Sequence, residues 1–156
     1  VTGWRRATDA DAPALTELER AANLAALGHV FPPERYPFPA DDVLARWHLV
    51  LADPDAETWL AGGAKPVAFV AYDSSTLRHL AVHPDAWGTG LARAAAEMAT
   101  AAIRGRGADL AELWCLVDNT RARGLYEHLG WVATADRQEA PWAPHPAEMR
   151  YTLKLS

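Results

Sequence analysis

Thirteen residues in the middle of the chain, Leu80-Ala81-Val82-His83-Pro84-Asp85-Ala86-Trp87-Gly88-Thr89-Gly90-Leu91-Ala92, leave few local conformations open. An apolar run suited to a strand meets His83-Pro84, and two glycines then sit directly ahead of an alanine-rich helical stretch. A strand that turns through glycine straight into a helix gathers free backbone N–H groups at the positive end of the helix dipole, which makes an anion site. Glycine at these positions keeps Cβ atoms away from a diphosphate approaching the amides, although the same pair also suits a tight turn with no ligand. No Gly-Lys-Ser/Thr follows, so this is not a Walker loop. The strands before it have the short spacing of antiparallel meanders, which argues against a first-strand dinucleotide fingerprint.

The rest of the pattern can be placed around this turn. Gly3 to Ala7 predicts a short strand, and Thr8, Asp11 and Pro13 start a helix whose apolar positions Leu15, Leu18, Ala22 and Ala25 share one face up to Gly28. His29 to Pro39 holds four prolines and three aromatics and predicts an irregular loop. Asp41 and Asp42 open a second helix that ends before Asp53-Pro54. Residues 58–61, 67–72 and 76–82 read as hairpin strands, 91–104 as a helix closed by Gly105 and Gly107, and 110–117 as a strand. Asn119 to Leu129 reads as a helix closed by Gly130, with final strands at 131–135 and 149–155. The order βααβββαβαββ, without repeat or linker, predicts one α/β (α+β mixed) domain over residues 1–156, built on a central mixed, mostly antiparallel sheet flanked by helices.

Composition narrows the function. Fifteen Lys and Arg against 20 Asp and Glu give a net charge of −5, so no global positive field collects phosphate backbones and a nucleic-acid partner is not expected. No stretch approaches the roughly 18 apolar residues of a membrane helix. The single Cys115 has no internal disulfide partner, and Val1 to Asp11 lacks a signal-peptide core, so the cytoplasm is the expected compartment.

A second motif lies at Asn119-Thr120-Arg121-Ala122-Arg123-Gly124-Leu125-Tyr126-Glu127-His128-Leu129-Gly130-Trp131. Alone, it reads as a helix with Asn119 as N-cap and Tyr126 on the inner face. Together with the glycine turn it resembles the GCN5-related N-acetyltransferase (GNAT) family. That family's pattern is a strand, Gln/Arg-x-x-Gly-x-Gly/Ala opening a helix, another strand, and Asn-x-x-Ala-x-x-x-Tyr-x-x-x-Gly-Phe/Trp. The first element is Trp87 to Ala92 and the second matches at Asn119, Ala122, Tyr126, Gly130 and Trp131, with Trp87 replacing the usual Gln or Arg. The likeness is close over residues 76–132.

The resemblance implies acetyl-CoA as co-substrate, with no metal. Backbone amides of Gly88, Thr89, Gly90, Leu91, Ala92 and Arg93 would hold the diphosphate, Leu80, Ala81 and Val82 would pair with the pantetheine arm, and Asn119 would contact it. The strand ending at Val82 would splay from 110–117 to make room for the acyl chain. Arg93 and Arg123 are candidates for the 3′-phosphate, or simply solvated. Tyr126 would protonate the departing thiolate, a backbone N–H near Val82 would hold the oxyanion, and a neutral amine would attack directly. Cys115, in an apolar strand without an activating base, reads as core.

The glutamate that some members carry five residues before the Asn is here Trp114, so the base does not transfer. Glu112, on the same face by strand alternation, is the first candidate; Asp73, Glu34, His29 or a water chain remain open, and His79 reads as packed against a helix. His29, Phe31, Glu34 and Tyr36 from the proline-rich loop are expected at the acceptor site, opposite Pro141 to Pro146. The aromatics suit a small amine with an apolar body, or form a rigid lid over the core. The expected partner is a small-molecule or peptide amine, with a homodimer as a family-level expectation. A catalytically silent acyl-CoA sensor is the alternative of another class.

Overall fold

The computed structural model describes residues 3–156; Val1 and Thr2, at the start of the segment read above for a leader, lie outside the described residues. The elements are β1 (Trp4–Arg6), α1 (Ala12–Leu27), α2 (Ala40–Ala52), β2 (Glu57–Ala61), β3 (Ala68–Tyr72), β4 (Leu77–Val82), α3 (Leu91–Gly105), β5 (Leu110–Leu116), α4 (Thr120–His128), β6 (Val132–Glu139) and β7 (Ala147–Lys154). The order is the one the sequence predicts. No helix among the described residues is long and apolar enough to cross a membrane.

Two antiparallel sheets divide the strands, β1-β2-β3-β4 and β5-β7-β6. They meet where Thr76 and Glu112 form an isolated parallel bridge and the Glu112 amide donates to the Ser75 carbonyl at 3.0 Å. The expected single sheet is therefore hinged: beyond that bridge β4 and β5 are not paired.

Helices cover both faces of the first sheet, which is why β3 is apolar at every position instead of alternating. Phe69 and Ala71 face Leu15, Val43 and Trp47 of α1 and α2, with the Trp47 and Phe69 rings 4.9 Å apart in an edge-on contact. Val70 and Tyr72 face the opposite core, formed with Ala95, Ala96, Ala99 and Ile103 of α3. All four of those α3 residues are fully buried, so the alanine runs are the means by which a helix backbone lies close against two diverging strands.

β6 is longer than its sequence suggests. Its outer face is exposed over polar Thr134 to Glu139, so the apolar alternation fades after Ala135, and a register shift interrupts its pairing with β7 between Ala133 and Arg137. Asp73 shapes the turn before β4. Burial pushes its pKa up, but the Ser75 amide, the Arg78 guanidinium and the Thr76 amide outweigh burial and hold it below the usual carboxylate range.

The α3 packing gives a direct test. Ala96→Leu adds volume where no space exists, and should lower the unfolding free energy by about 1–3 kcal/mol in urea titrations, with an unchanged m-value.

Candidate active site

The loop from β4 to α3 is built by the two glycines. Gly88 has φ +79° and Gly90 φ +86°, a region L side chains rarely adopt, and a Cβ at either position would project into open space rather than into protein. Thr89 Oγ1 donates to the Ala86 carbonyl at 2.6 Å and fixes the turn, leaving the first amides of α3 without intrahelical acceptors. These features border a cavity of about 370 Å³.

Leu80, Ala81, Val82, Gly88, Gly90, Leu91, Ala92, Arg93, Asn119 and Tyr126 all line it, so both motifs meet in one cavity. Asn119 Oδ1 accepts from the Ala122 amide at 3.2 Å, so the side chain caps α4 as well as facing the cavity. Thr89 and Arg123 do not line it. Arg123 turns away, donating to the Tyr151 hydroxyl at 3.0 Å and the Val117 carbonyl at 3.1 Å. Arg121 takes the lining position instead, stacked 3.8 Å from the centre of the Trp87 ring. Helical periodicity sets the two arginines about half a turn apart but does not say on which side of α4 the cavity lies. The open cradle, the dipole of a 15-residue helix and the unpaired edge of β4 fit a diphosphate with a peptide-like arm.

The cavity continues into the gap between β4 and β5, a cleft of about 450 Å³ that contains His79, Trp114, Cys115, Tyr126 and Glu148. Tyr126 is buried, its ring centre 6.0 Å from that of Trp131. Burial, reinforced by the neighbouring Cys115 sulfur, pushes its phenol well above its ordinary value. Tyr126 therefore stays a proton donor throughout the neutral range. Burial also pushes the Cys115 thiol up to about 12, so it is not a thiolate at neutral pH. His79 is neutral for the opposite reason: burial first, then the charges of Arg46 and Arg78, hold its imidazole well below the ordinary value. It packs against Trp47 of α2, the rings tilted by 59° with centres 5.3 Å apart.

Glu112 is not brought to this cleft. Alternation does put it on the face of Trp114, but it stands at the bridge where β4 and β5 touch, and the gap is closed there. Its Oε2 accepts from Arg150 Nε at 2.8 Å and its Oε1 from Thr76 Oγ1 at 3.4 Å. The first candidate base is thus a structural carboxylate, and Asp73 is likewise committed to its turn.

A second chamber of about 480 Å³ adjoins the cleft through Asn23, Phe31, Pro141 and Trp142. Phe31 and Tyr36 line it, facing Trp142 and His145 across from the proline-rich loop. His29 and Glu34 do not: His29 Nε2 donates to the Asp118 carbonyl at 2.9 Å and Glu34 is exposed. Glu148, unmarked in the sequence, reaches the cleft because β7 pairs it with Leu116 on one side and Gln138 on the other. Its pairing with Gln138 follows the β6 irregularity, whereas its pairing with Leu116 belongs to an unbroken register.

The profile described as "Acetyltransferase (GNAT) family" matches residues 14–131, and the chain belongs to that family. Among curated proteins it is 46% identical over 56 residues to the mycothiol acetyltransferase of Beutenbergia cavernae, covering 36% of this chain but only 19% of that protein. Its fold is similar to a GCN5-related N-acetyltransferase from Rhodopseudomonas palustris, with a TM-score of 0.84 and 20% identity over 99% of this chain and 96% of that one. It is also similar to the PaiA N-acetyltransferase of Thermoplasma acidophilum in complex with coenzyme A, with a TM-score of 0.75 and 12% identity over 99% of both chains.

The neutral His79 carries a pH consequence. Its folded pKa lies below the unfolded value of about 6.5, so its contribution to stability is complete above that pH and is lost as pH falls through the window below it. Urea unfolding at pH 7.5 and 5.0 should show a smaller acid loss in His79→Gln than in the parent, by up to about 1.4 kcal/mol per pH unit.

Proposed function

We propose that the protein is an acetyl-CoA-dependent N-acetyltransferase that transfers acetyl directly to a primary amine, on a small molecule rather than a protein terminus. The supporting observation is one continuous space in which a glycine-built anion cradle opens into a strand gap containing a buried, neutral tyrosine. The solved relative with coenzyme A is consistent with the choice of co-substrate.

The parts divide as follows. Amides at the start of α3 and the positive-φ glycines hold the diphosphate, and the open edge of β4 aligns the pantetheine arm. Bound acetyl-CoA supplies the thioester carbonyl that the amine attacks. A backbone N–H at the β4 edge faces the developing oxyanion, and the Tyr126 phenol donates its proton to the leaving sulfur. Direct transfer is favoured over a Cys115 acyl-enzyme because that thiol is held protonated. The second chamber, walled by rings and prolines, favours a small acceptor with an apolar body.

Thermal unfolding tests the co-substrate. Acetyl-CoA and CoA, but not NADH, should raise the midpoint, since a ligand at about 100 times its Kd adds roughly 2.7 kcal/mol. Gly90→Glu puts a side chain and a like charge into the cradle, and at φ +86° it also costs about 1–2 kcal/mol of strain. It should still unfold cooperatively but lose the shift; an undiminished shift would show that the ligand binds elsewhere.

Tyr126→Phe tests the chemistry. With an amine that gives turnover, kcat should fall roughly a hundredfold or more while acetyl-CoA affinity stays within about twofold. Unchanged kcat would remove Tyr126 as the acid.

A further inference from the structure

The charged side chains of the cleft are unequally matched. Arg46 is paired with Glu19, which also accepts from the Trp47 indole at 3.0 Å. Arg78 is held by Asp53 at 2.9 Å and Asp73 at 2.7 Å. His79 is neutral. Among the described residues Glu148 has no cationic partner; its one hydrogen bond comes from Gln138 Nε2, 2.8 Å from Oε1, which fixes the carboxylate and leaves Oε2 unengaged. Glu148 shares the cleft with Tyr126, and Phe31, Pro141 and Trp142 belong to the walls of both the cleft and the second chamber.

We propose that Glu148 binds the ammonium group of the acceptor while the chamber beyond Phe31 and Trp142 takes a flat apolar body, so that the acceptors are arylalkyl primary amines without a neighbouring carboxylate. The amine requirement follows from the uncompensated negative charge. Discrimination against the corresponding amino acids follows from charge. Arg46 and Arg78 are each paired with carboxylates, Arg35 lines only the chamber beyond, and the one buried guanidinium donor left open among the described residues is the Arg46 Nε–H. A carboxylate beside the amine would therefore lie against Glu148 without an unpaired cation next to it. The flat body follows from the chamber wall of Phe31, Tyr36, Phe38 and Trp142.

The proposal rests on the transferase reading for its chemistry but not for its binding. In the transfer, the acceptor nitrogen sheds two protons. Glu148 takes the first from the ammonium and passes it to solvent; the second leaves for solvent as the C–N bond forms and the C–S bond breaks. Tyr126 gives one proton to sulfur and regains one from solvent, so amide, thiol and one free proton are the net products.

The test uses the whole chain with 2-phenylethylamine, L-phenylalanine and 2-phenylethanol as probes, their affinities measured by calorimetry or saturation-transfer NMR without acetyl-CoA. The amine is expected to bind at least about tenfold more tightly than the amino acid or the alcohol. Glu148→Gln should reduce the preference for amine over alcohol by about tenfold, and Trp142→Ala should weaken the amine and the alcohol alike. With acetyl-CoA present, Glu148→Gln should raise KM for 2-phenylethylamine as well as lower kcat. Equal binding of phenylalanine and phenylethylamine by the parent protein would overturn the proposal even if the variant does not fold, and so would an unchanged amine preference in a folded Glu148→Gln. Probe binding with the expected preference, but no thermal shift from acetyl-CoA, would refute the transferase reading while leaving the acceptor site standing.

Discussion

Beyond the Thr76–Glu112 bridge, β4 and β5 exchange no ladder hydrogen bonds, and the functional features of the molecule follow from that interruption. An unpaired strand edge is costly in a folded interior and hazardous at a surface, so a fold that retains one needs something to occupy it. Here the edge lies between a helix N-terminus and a buried phenol. Divergence of the strands also requires α3 to span two sheets, and only a face of Ala95, Ala96 and Ala99 lets its backbone lie close enough to both. Composition and site geometry are thus two consequences of one gap.

The gap orders the ionisable groups by distance from its apex. At the closed end, Glu112 is absorbed into a pair with Arg150, and Asp73 into the turn that starts β4. Further along, the strands separate and Tyr126 and Cys115 are enclosed by apolar neighbours, which keeps both protonated. At the open side, Glu148 has solvent and cavity before it. The enclosed phenol and thiol and the more open Glu148 thereby arise from the same wedge, differing in how far protein closes over them.

Much of this was legible in the sequence because it is written in local signals. The glycine turn, the Asn119 cap and the period of α4 are short-range features, so the turn and the inner helix face that carries Tyr126 can be placed without knowledge of the sheet, while the roles expected of them came from the family resemblance. Glu112 shows where such signals end: alternation assigns its face correctly but says nothing of where along β5 the gap closes, since that depends on a bridge from residue 76. Glu148 was invisible for a related reason. Its place depends on pairing with Leu116 and Gln138 across an irregular β6, and a polar outer strand carries little alternation from which to fix register. Arg123 and Arg121 differ by about half a helical turn, and it is tertiary partners that hold them, the Tyr151 hydroxyl and Val117 carbonyl for Arg123 and the Trp87 ring for Arg121.

The residue that departs from the family pattern explains how the gap keeps its shape. The indole N–H of Trp87 donates to the Val82 carbonyl at 2.9 Å, tying the glycine loop to the end of β4. Its ring face carries the Arg121 guanidinium at 3.8 Å, tying the same loop to the first turn of α4. A Gln at this position would lack the aromatic face for that stack, and the lips of the cleft would lose one of their links. Trp87 therefore braces β4, the glycine loop and α4 against one another across the mouth of a cleft that no strand pairing holds at a fixed width. The space beside Gly88 and Gly90 remains open.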